Sequence, residues 1–224
     1  MKIVILGAGP GVGLATARRF GREGFEVALV SRNRDHLTPL IETLAGAGVT
    51  ATAHVGDLAD ETSLTGALDG VGQVDVLLCN GVGAGGTLTP ALEVTRESAR
   101  EAFDGAVLGA VTAVRAVLPG MLARGSGTLL FTSGISAVHP LPFLGNVGMA
   151  GAALRNYVLS LAEVLAGRGV HVGHVPIAAA VAPGSPAAPE IVAETHWSLH
   201  AGRDRHEVIL GDLATVQAAI SAME

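Results

Sequence analysis

Short runs of apolar residues recur along the chain, separated by longer stretches in which Ala and Leu return every third or fourth position. Ile3–Leu6 and Val76–Leu78 are apolar at every position. Strands of that kind are buried on both faces, as in a parallel sheet covered by helices. Glu26–Val30, Thr50–His54, Val74–Cys79, Thr128–Thr132 and Val170–Val175 read as further strands. Helices are expected from the glycine-rich turn after the first strand to about Arg22, over Asp35–Ala45, and near 60–68, 95–122 and 149–167. The alternation predicts an α/β Rossmann fold: a doubly wound, mainly parallel sheet with right-handed crossovers and helices on both faces. With no linker or repeat, residues 1–224 read as one domain. Ile177–Pro189, rich in Ala and Pro, is expected to be a flexible lid opening a substrate-lid region over 177–205. An amphipathic helix near 190–201, a strand at Glu207–Leu210 and a last helix follow.

Composition narrows the function. Hydrophobic residues make up 49% and charged residues 15%, which excludes a disordered chain. A net charge of −6 opposes a nucleic-acid role, because phosphate binding needs a basic patch. The single cysteine, Cys79, excludes a disulfide framework and a cysteine zinc site. Met1–Ala17 has the outline of a signal peptide, but glycines and a proline between Gly7 and Gly13 break it. Gly125–Leu154 lacks charge apart from His139, yet Pro140, Pro142 and several glycines interrupt it. A soluble, cytoplasmic protein without a membrane partner is expected.

The first strand runs directly into Gly7-Ala8-Gly9-Pro10-Gly11-Val12-Gly13, which opens a helix. Glycines there permit a tight turn and close approach of backbone to a pyrophosphate, which rests on the positive helix N-terminus. Where NAD binding places an acidic residue, at the end of the second strand, this chain has Ser31-Arg32-Asn33-Arg34. A guanidinium and a hydroxyl suit a 2′-phosphate, so NADP(H) is the expected cofactor.

On these residues the chain resembles the short-chain dehydrogenase/reductase family over nearly its whole length. Gly7, Gly11 and Gly13 match the family's glycine pattern. Asp57-Leu58 is similar to its adenine-contacting pair, and Cys79-Asn80-Gly81 to its turn after the fourth strand. The resemblance implies cofactor contacts at Gly7, Gly9, Gly11, Val12, Gly13, Ser31, Arg32, Asn33, Asp57, Leu58, Asn80 and Gly81. It also implies a homodimer or homotetramer, for which the small residues of the helices near 103–122 and 149–167 allow close contact.

The family's catalytic positions diverge. Alignment on Ala152-Ala153-Leu154 puts Val147 where the resemblance implies Tyr and Gly151 where it implies Lys. The Ser position falls on Gly134, beside Ser133, and the Asn position on Ala106. The sole lysine is Lys2 and the sole tyrosine Tyr157, about 15 Å further along the helix than position 147. Ser133 and His139 are the replacement candidates for polarising a carbonyl and supplying its proton, with Ser136 and Asn146 weaker ones. His196 and His200 share a helix face at metal-ligand spacing, but no metal is expected. The expected function is NADP(H)-dependent oxidoreduction of a small carbonyl or alcohol through an atypical active site. A non-catalytic NADP-binding sensor or scaffold, or a non-redox enzyme reusing the fold, stays open.

Overall fold

The computed structural model describes residues 1–80 and 87–221. Seven strands, β1 (Lys2–Leu6), β2 (Glu26–Ser31), β3 (Ala51–Val55), β4 (Val76–Cys79), β5 (Gly127–Gly134), β6 (Val170–Ala178) and β7 (Leu210–Gly211), form one sheet. Their order is β3-β2-β1-β4-β5-β6-β7, and every pair is parallel. The expected doubly wound sheet is thus present. The chain steps outward from β1 to β3, then crosses to β4 on the other side of β1. Ligands of open α/β sheets bind outside the carboxyl ends of the strands at such a reversal.

Period-two alternation along the strands divides the core into two layers. Val4, Leu6, Leu77, Cys79, Leu129 and Phe131 face helices α3 (Glu61–Val71), α5 (Gly109–Arg124) and α6 (Gly145–Leu165). Ile3, Ile5, Leu29, Leu78 and Leu130 face α1 (Val12–Arg22), α2 (Arg34–Gly46) and α7 (Pro189–Gly202). On that side Phe20 meets Phe25 and Trp197 edge to face, and the Arg19 guanidinium lies 4.5 Å from the Trp197 ring. A short helix α8 (Leu213–Ser221) closes the chain.

Several boundaries differ from the sequence reading, each for a local reason. The long helix expected over 95–122 is α4 (Arg96–Phe103), one π-helical turn at Asp104–Leu108, and α5. Immediately after that turn Gly109 lies against Leu58, where a Cβ would come within 2.6 Å of the Leu58 carbonyl oxygen. The run Arg96–Arg124 is long and apolar enough to cross a membrane by length and composition, but here α5 packs on α3 and the sheet. Helix α6 begins at Gly145 rather than near 149, directly after a 3₁₀ turn opened by Pro142. Strand β6 continues through Ile177 and Ala178, because those residues pair with β7. The remainder of the Ala/Pro-rich segment is an ordered turn: Ser185 Oγ donates to the Ala180 carbonyl at 2.6 Å and accepts from Ala187 N–H at 3.2 Å. Ala187 and Ala188 are buried. Where a strand was expected over Glu207–Leu210, Glu207 forms one isolated bridge with His174, and regular pairing starts only at Leu210.

Candidate cofactor and active site

Most of the candidate residues lie at the carboxyl ends of successive strands. After β1, Gly7 adopts φ 69°, which a side chain would strain, and the turn is anchored by Ala8 N–H donating to the Val30 carbonyl at 3.2 Å. A Cβ on Gly13 would meet Ala8 Cα at 3.1 Å, so glycine lets α1 close onto the turn. A Cβ on Gly9 or Gly11 would meet nothing within 4 Å, leaving an open cradle over the helix start. Helix α1, which starts at Val12, has no side-chain cap and no acidic residue in its first turn. Backbone N–H groups and the helix dipole therefore face that cradle without a competing anion.

At the end of β2, Ser31 is half-buried while Arg32 and Asn33 are exposed. Among the described residues Arg32 forms no ion pair. Asn33 caps α2, its side chain accepting from Asp35 N–H at 2.8 Å. After β3, Asp57 Oδ1 accepts from Ala59 N–H at 3.0 Å, and Leu58 sits under Gly109. Asn80 follows β4, its N–H donating to the Leu6 carbonyl at 3.1 Å, while Gly81 lies outside the described residues. The open glycine cradle, a bare helix start and a cation one strand away fit a phosphorylated dinucleotide.

The aligned catalytic positions are filled by small and apolar groups. Val147 is buried with Ala102, Ala106 and Ala150. A Cβ on Gly151 would stand 3.2 Å from that of Ala137. Gly134 is exposed, and a Cβ there would have only Ser136 Oγ near it, at 3.6 Å. Neither the lysine nor the tyrosine is available to this place. Lys2 begins β1, at the opposite end of the sheet, where its Nζ donates to the Val71 carbonyl at 2.8 Å. Tyr157 packs on the core, and burial raises its phenol further from neutrality. Beside these positions lies a cavity of about 450 Å³ lined by Ser136, Val138, Leu141, Leu144, Gly148 and Met149, among others. His139, exposed, falls in sequence between the lining residues Val138 and Pro140.

Ser133 is buried, with Oγ 2.9 Å from His174 Nε2. His174 Nδ1 lies 3.0 Å from Glu207 Oε2, and Glu207 takes 2.7 and 2.9 Å hydrogen bonds from Arg155 Nε and Nη2. Hydrogen bonding from Arg155, foremost, holds the Glu207 carboxyl below its ordinary range, while burial lowers the His174 imidazole. Neither His174 nor Glu207 is a site candidate in the sequence, where they stand 41 and 74 residues after Ser133. Only the β5–β6 register and the bridge to Glu207 bring the three together.

The remaining polar candidates are structural. Asn146 is buried: its amide donates to the Thr87 and Ser98 carbonyls at 2.8 and 3.3 Å, and Oδ1 accepts from Thr89 and Val147 N–H at 3.0 and 2.9 Å. His196 and His200 make no ligand pair. Both ring nitrogens of His196 are engaged, by Thr16 and Thr132, and His200 Nδ1 is 2.9 Å from Thr128 Oγ1.

Comparison with known proteins agrees with this architecture. The family described as short chain dehydrogenase matches residues 1–187. Dehydrogenase/reductase SDR family member 4 of Sus scrofa is 32% identical over 170 residues, covering 72% of this chain and 59% of the relative. The match thus spans about three fifths of that relative's length. Glucose 1-dehydrogenase of Gluconobacter oxydans is 31% identical over 189 residues, covering 81% of this chain and 70% of that protein. Among solved structures, L-sorbose reductase from Gluconobacter frateurii complexed with NADPH and L-sorbose superposes with TM-score 0.85 at 24% identity, covering 95% and 96% of the two chains. With its glycine turn, parallel sheet and these matches, the chain belongs to the short-chain dehydrogenase/reductase family.

Proposed function

We propose that the protein is an NADP(H)-dependent oxidoreductase acting on a small carbonyl or alcohol through an atypical active site. The observation that carries this reading is the open glycine cradle at the N-terminus of α1 with Arg32, unpaired among the described residues, at the end of the adjacent β2. Gly7, Gly9, Gly11, Val12 and Gly13 would hold the pyrophosphate, and Ser31, Arg32 and Asn33 a 2′-phosphate. Asp57 and Leu58 would border the adenine, with Asn80 and Gly81 beyond the end of β4. The NADPH held by L-sorbose reductase and the 5-hydroxy-NADP held by the alcohol dehydrogenase from Thermococcus sibiricus, which is 25% identical, support the choice of cofactor.

When bound, the cofactor supplies hydride exchange with a carbonyl carbon. This chain must then polarise the carbonyl oxygen and move a proton to it, a contribution of about 10²–10⁴ in rate. The Ser133 hydroxyl would turn from His174 Nε2 to polarise the carbonyl, and exposed His139 would supply the proton. The apolar cavity lined by Ser136, Val138 and Leu141 favours a small, weakly polar substrate. The exposed apolar side chains Leu108, Met149 and Val164 favour pairing with a second copy in a cytoplasmic homodimer or homotetramer.

Val147 and Gly151 favour a second reading, an NADP-binding protein without redox turnover or a non-redox enzyme. Fluorescence titration with NADPH, followed by oxidation against a panel of aldehydes, ketones and quinones, separates the two. Binding with turnover that falls in Ser133→Ala and His139→Ala supports the first. Binding without turnover supports the second, and absence of binding removes both cofactor readings.

A further inference from the structure

Ser133, His174 and Glu207 come from three separate segments: the end of β5, the middle of β6 and the connection between α7 and β7. Backbone pairing fixes them. His174 lies opposite Phe131 in the β5–β6 register, its N–H donates to the His206 carbonyl at 2.9 Å, and its carbonyl accepts from Val208 N–H at 3.0 Å. The fold alone does not call for polar groups here, since the same face of β5 carries Leu129 and Phe131, and that of β6 Val170 and Val172. A buried polar chain is costly unless each member is satisfied.

Its donors and acceptors set the protonation. The Glu207 carboxylate, gripped by Arg155 through both oxygens, only accepts, so the proton of the neutral ring sits on Nδ1. Nε2 is left with a lone pair 2.9 Å from the serine hydroxyl. A hydroxyl donating to an imidazole whose far nitrogen is anchored by a carboxylate is the arrangement that activates serine toward carbonyl groups.

We infer that Ser133 is an activated nucleophile, His174 its base and Glu207 a positioning carboxylate, in an acyl-transfer site for small carboxylic esters. The Ser133 Oγ–carbon bond forms as the hydroxyl proton passes to His174 Nε2. The adduct collapses, the ester C–O bond breaks, and the alcohol leaves with the proton held by His174. Water then attacks the acyl-serine and gives a proton to His174, which returns it to Ser133 as the carboxylic acid departs. No electrons are exchanged and only water is consumed, so the activity needs no nicotinamide cofactor, although it draws on the same Ser133. Ser133 is 4% exposed, so only a small acyl group can reach its hydroxyl.

The test is covalent labelling of the full-length chain with methanesulfonyl fluoride, with p-nitrophenyl acetate as the ester probe. The expected result is one methylsulfonyl group per chain, mapped to Ser133 by peptide mass spectrometry, its S–O bond replacing S–F as fluoride leaves. Ser133→Ala should abolish both labelling and ester hydrolysis. His174→Gln should slow them about 10²–10⁴-fold. Glu207→Gln should slow them at least about tenfold and remove the low-field proton resonance of His174 Nδ1–H. Mapping on the unmodified chain keeps the test decisive if a variant fails to fold. An unlabelled Ser133 on the folded chain overturns the proposal, as does a folded His174→Gln labelled at the unmodified rate. The network would then serve only to tie the segment before β7 to the sheet.

Discussion

The imidazole of His196 and the hydroxyl of Thr132 meet at 3.0 Å inside the core, and Thr16 closes the other side of the ring at 3.1 Å. The contact joins α7, β5 and α1 through one fully buried side chain. A neutral ring has one N–H and one lone pair, so one threonine accepts from it and the other donates to it. Protonation would put an uncompensated charge between α1 and the sheet, and burial accordingly pushes the group down to about 3.

Acid should therefore loosen the protein well above the carboxylate range. The folded pKa of His196 lies below its unfolded value near 6.5, so the unfolded chain takes up the proton first. The stability this provides is complete above about pH 6.5 and is lost as pH falls, at about 1.4 kcal/mol per pH unit, until the folded pKa near 3. His171 and His200, both pushed by burial to about 4, act in the same direction. Urea midpoints should fall between pH 7.5 and 5, and His196→Gln should flatten that dependence by the contribution of one proton. A midpoint independent of pH would contradict the assignment of neutral buried rings.

Gly109 and Gly105 provide a paired test of the approach of the long helix to Asp57-Leu58. A Cβ at 109 would stand 2.6 Å from the Leu58 carbonyl oxygen, a backbone atom that cannot swing away, whereas one at 105 meets nothing within 4 Å. Gly109→Ala should cost about 1–3 kcal/mol in chemical denaturation and weaken NADPH binding by displacing Leu58. Gly105→Ala should be neutral or stabilising, because alanine restricts the unfolded chain. Equal effects at the two sites would mean that helix flexibility, rather than the Leu58 contact, decides.

Arg32 should discriminate between the nicotinamide cofactors. A charge-assisted contact to a 2′-phosphate is worth about 1.5–3 kcal/mol, or roughly 10- to 150-fold in affinity. NADPH should bind tighter than NADH by about that ratio, and Arg32→Ala should erase most of it while leaving NADH affinity unchanged. Titrations giving equal affinities for the unmodified protein would sink the 2′-phosphate assignment.

The sequence was most informative where function and local structure share one signal. The glycine turn of residues 7–13 is legible because it is contiguous and follows an unmistakable strand. The sheet is legible because β4 and residues Ile3–Leu6 of β1 are apolar throughout. Contacts that depend on register were hidden: nothing near His174 in sequence points to Ser133 or Glu207, and the parity of β6 alone decides which neighbours it meets. Helical spacing alone could not describe His196 and His200, since i, i+4 placement says which face two rings share but not whether that face is wet. Here it is the buried face of α7 packed on α1.

Reintroducing the family's pair tests how far the site has diverged. Val147 is buried among Ala102, Ala106 and Ala150, with Phe103 and Leu144 packed around them, so a phenol ring there overfills a small apolar cluster. At position 151 a Cβ would already stand 3.2 Å from Ala137 Cβ, and Ala137 is itself buried. Overpacking of each site costs about 1–3 kcal/mol, and a lysine without a partner adds the burial of a charge. Val147→Tyr/Gly151→Lys should therefore melt at lower temperature than the unmodified protein and gain no turnover against the carbonyl panel. A folded double variant that reduces ketones faster than the unmodified chain would mean that the cleft still holds substrate and cofactor in the family's geometry. The divergence would then lie in the two side chains alone.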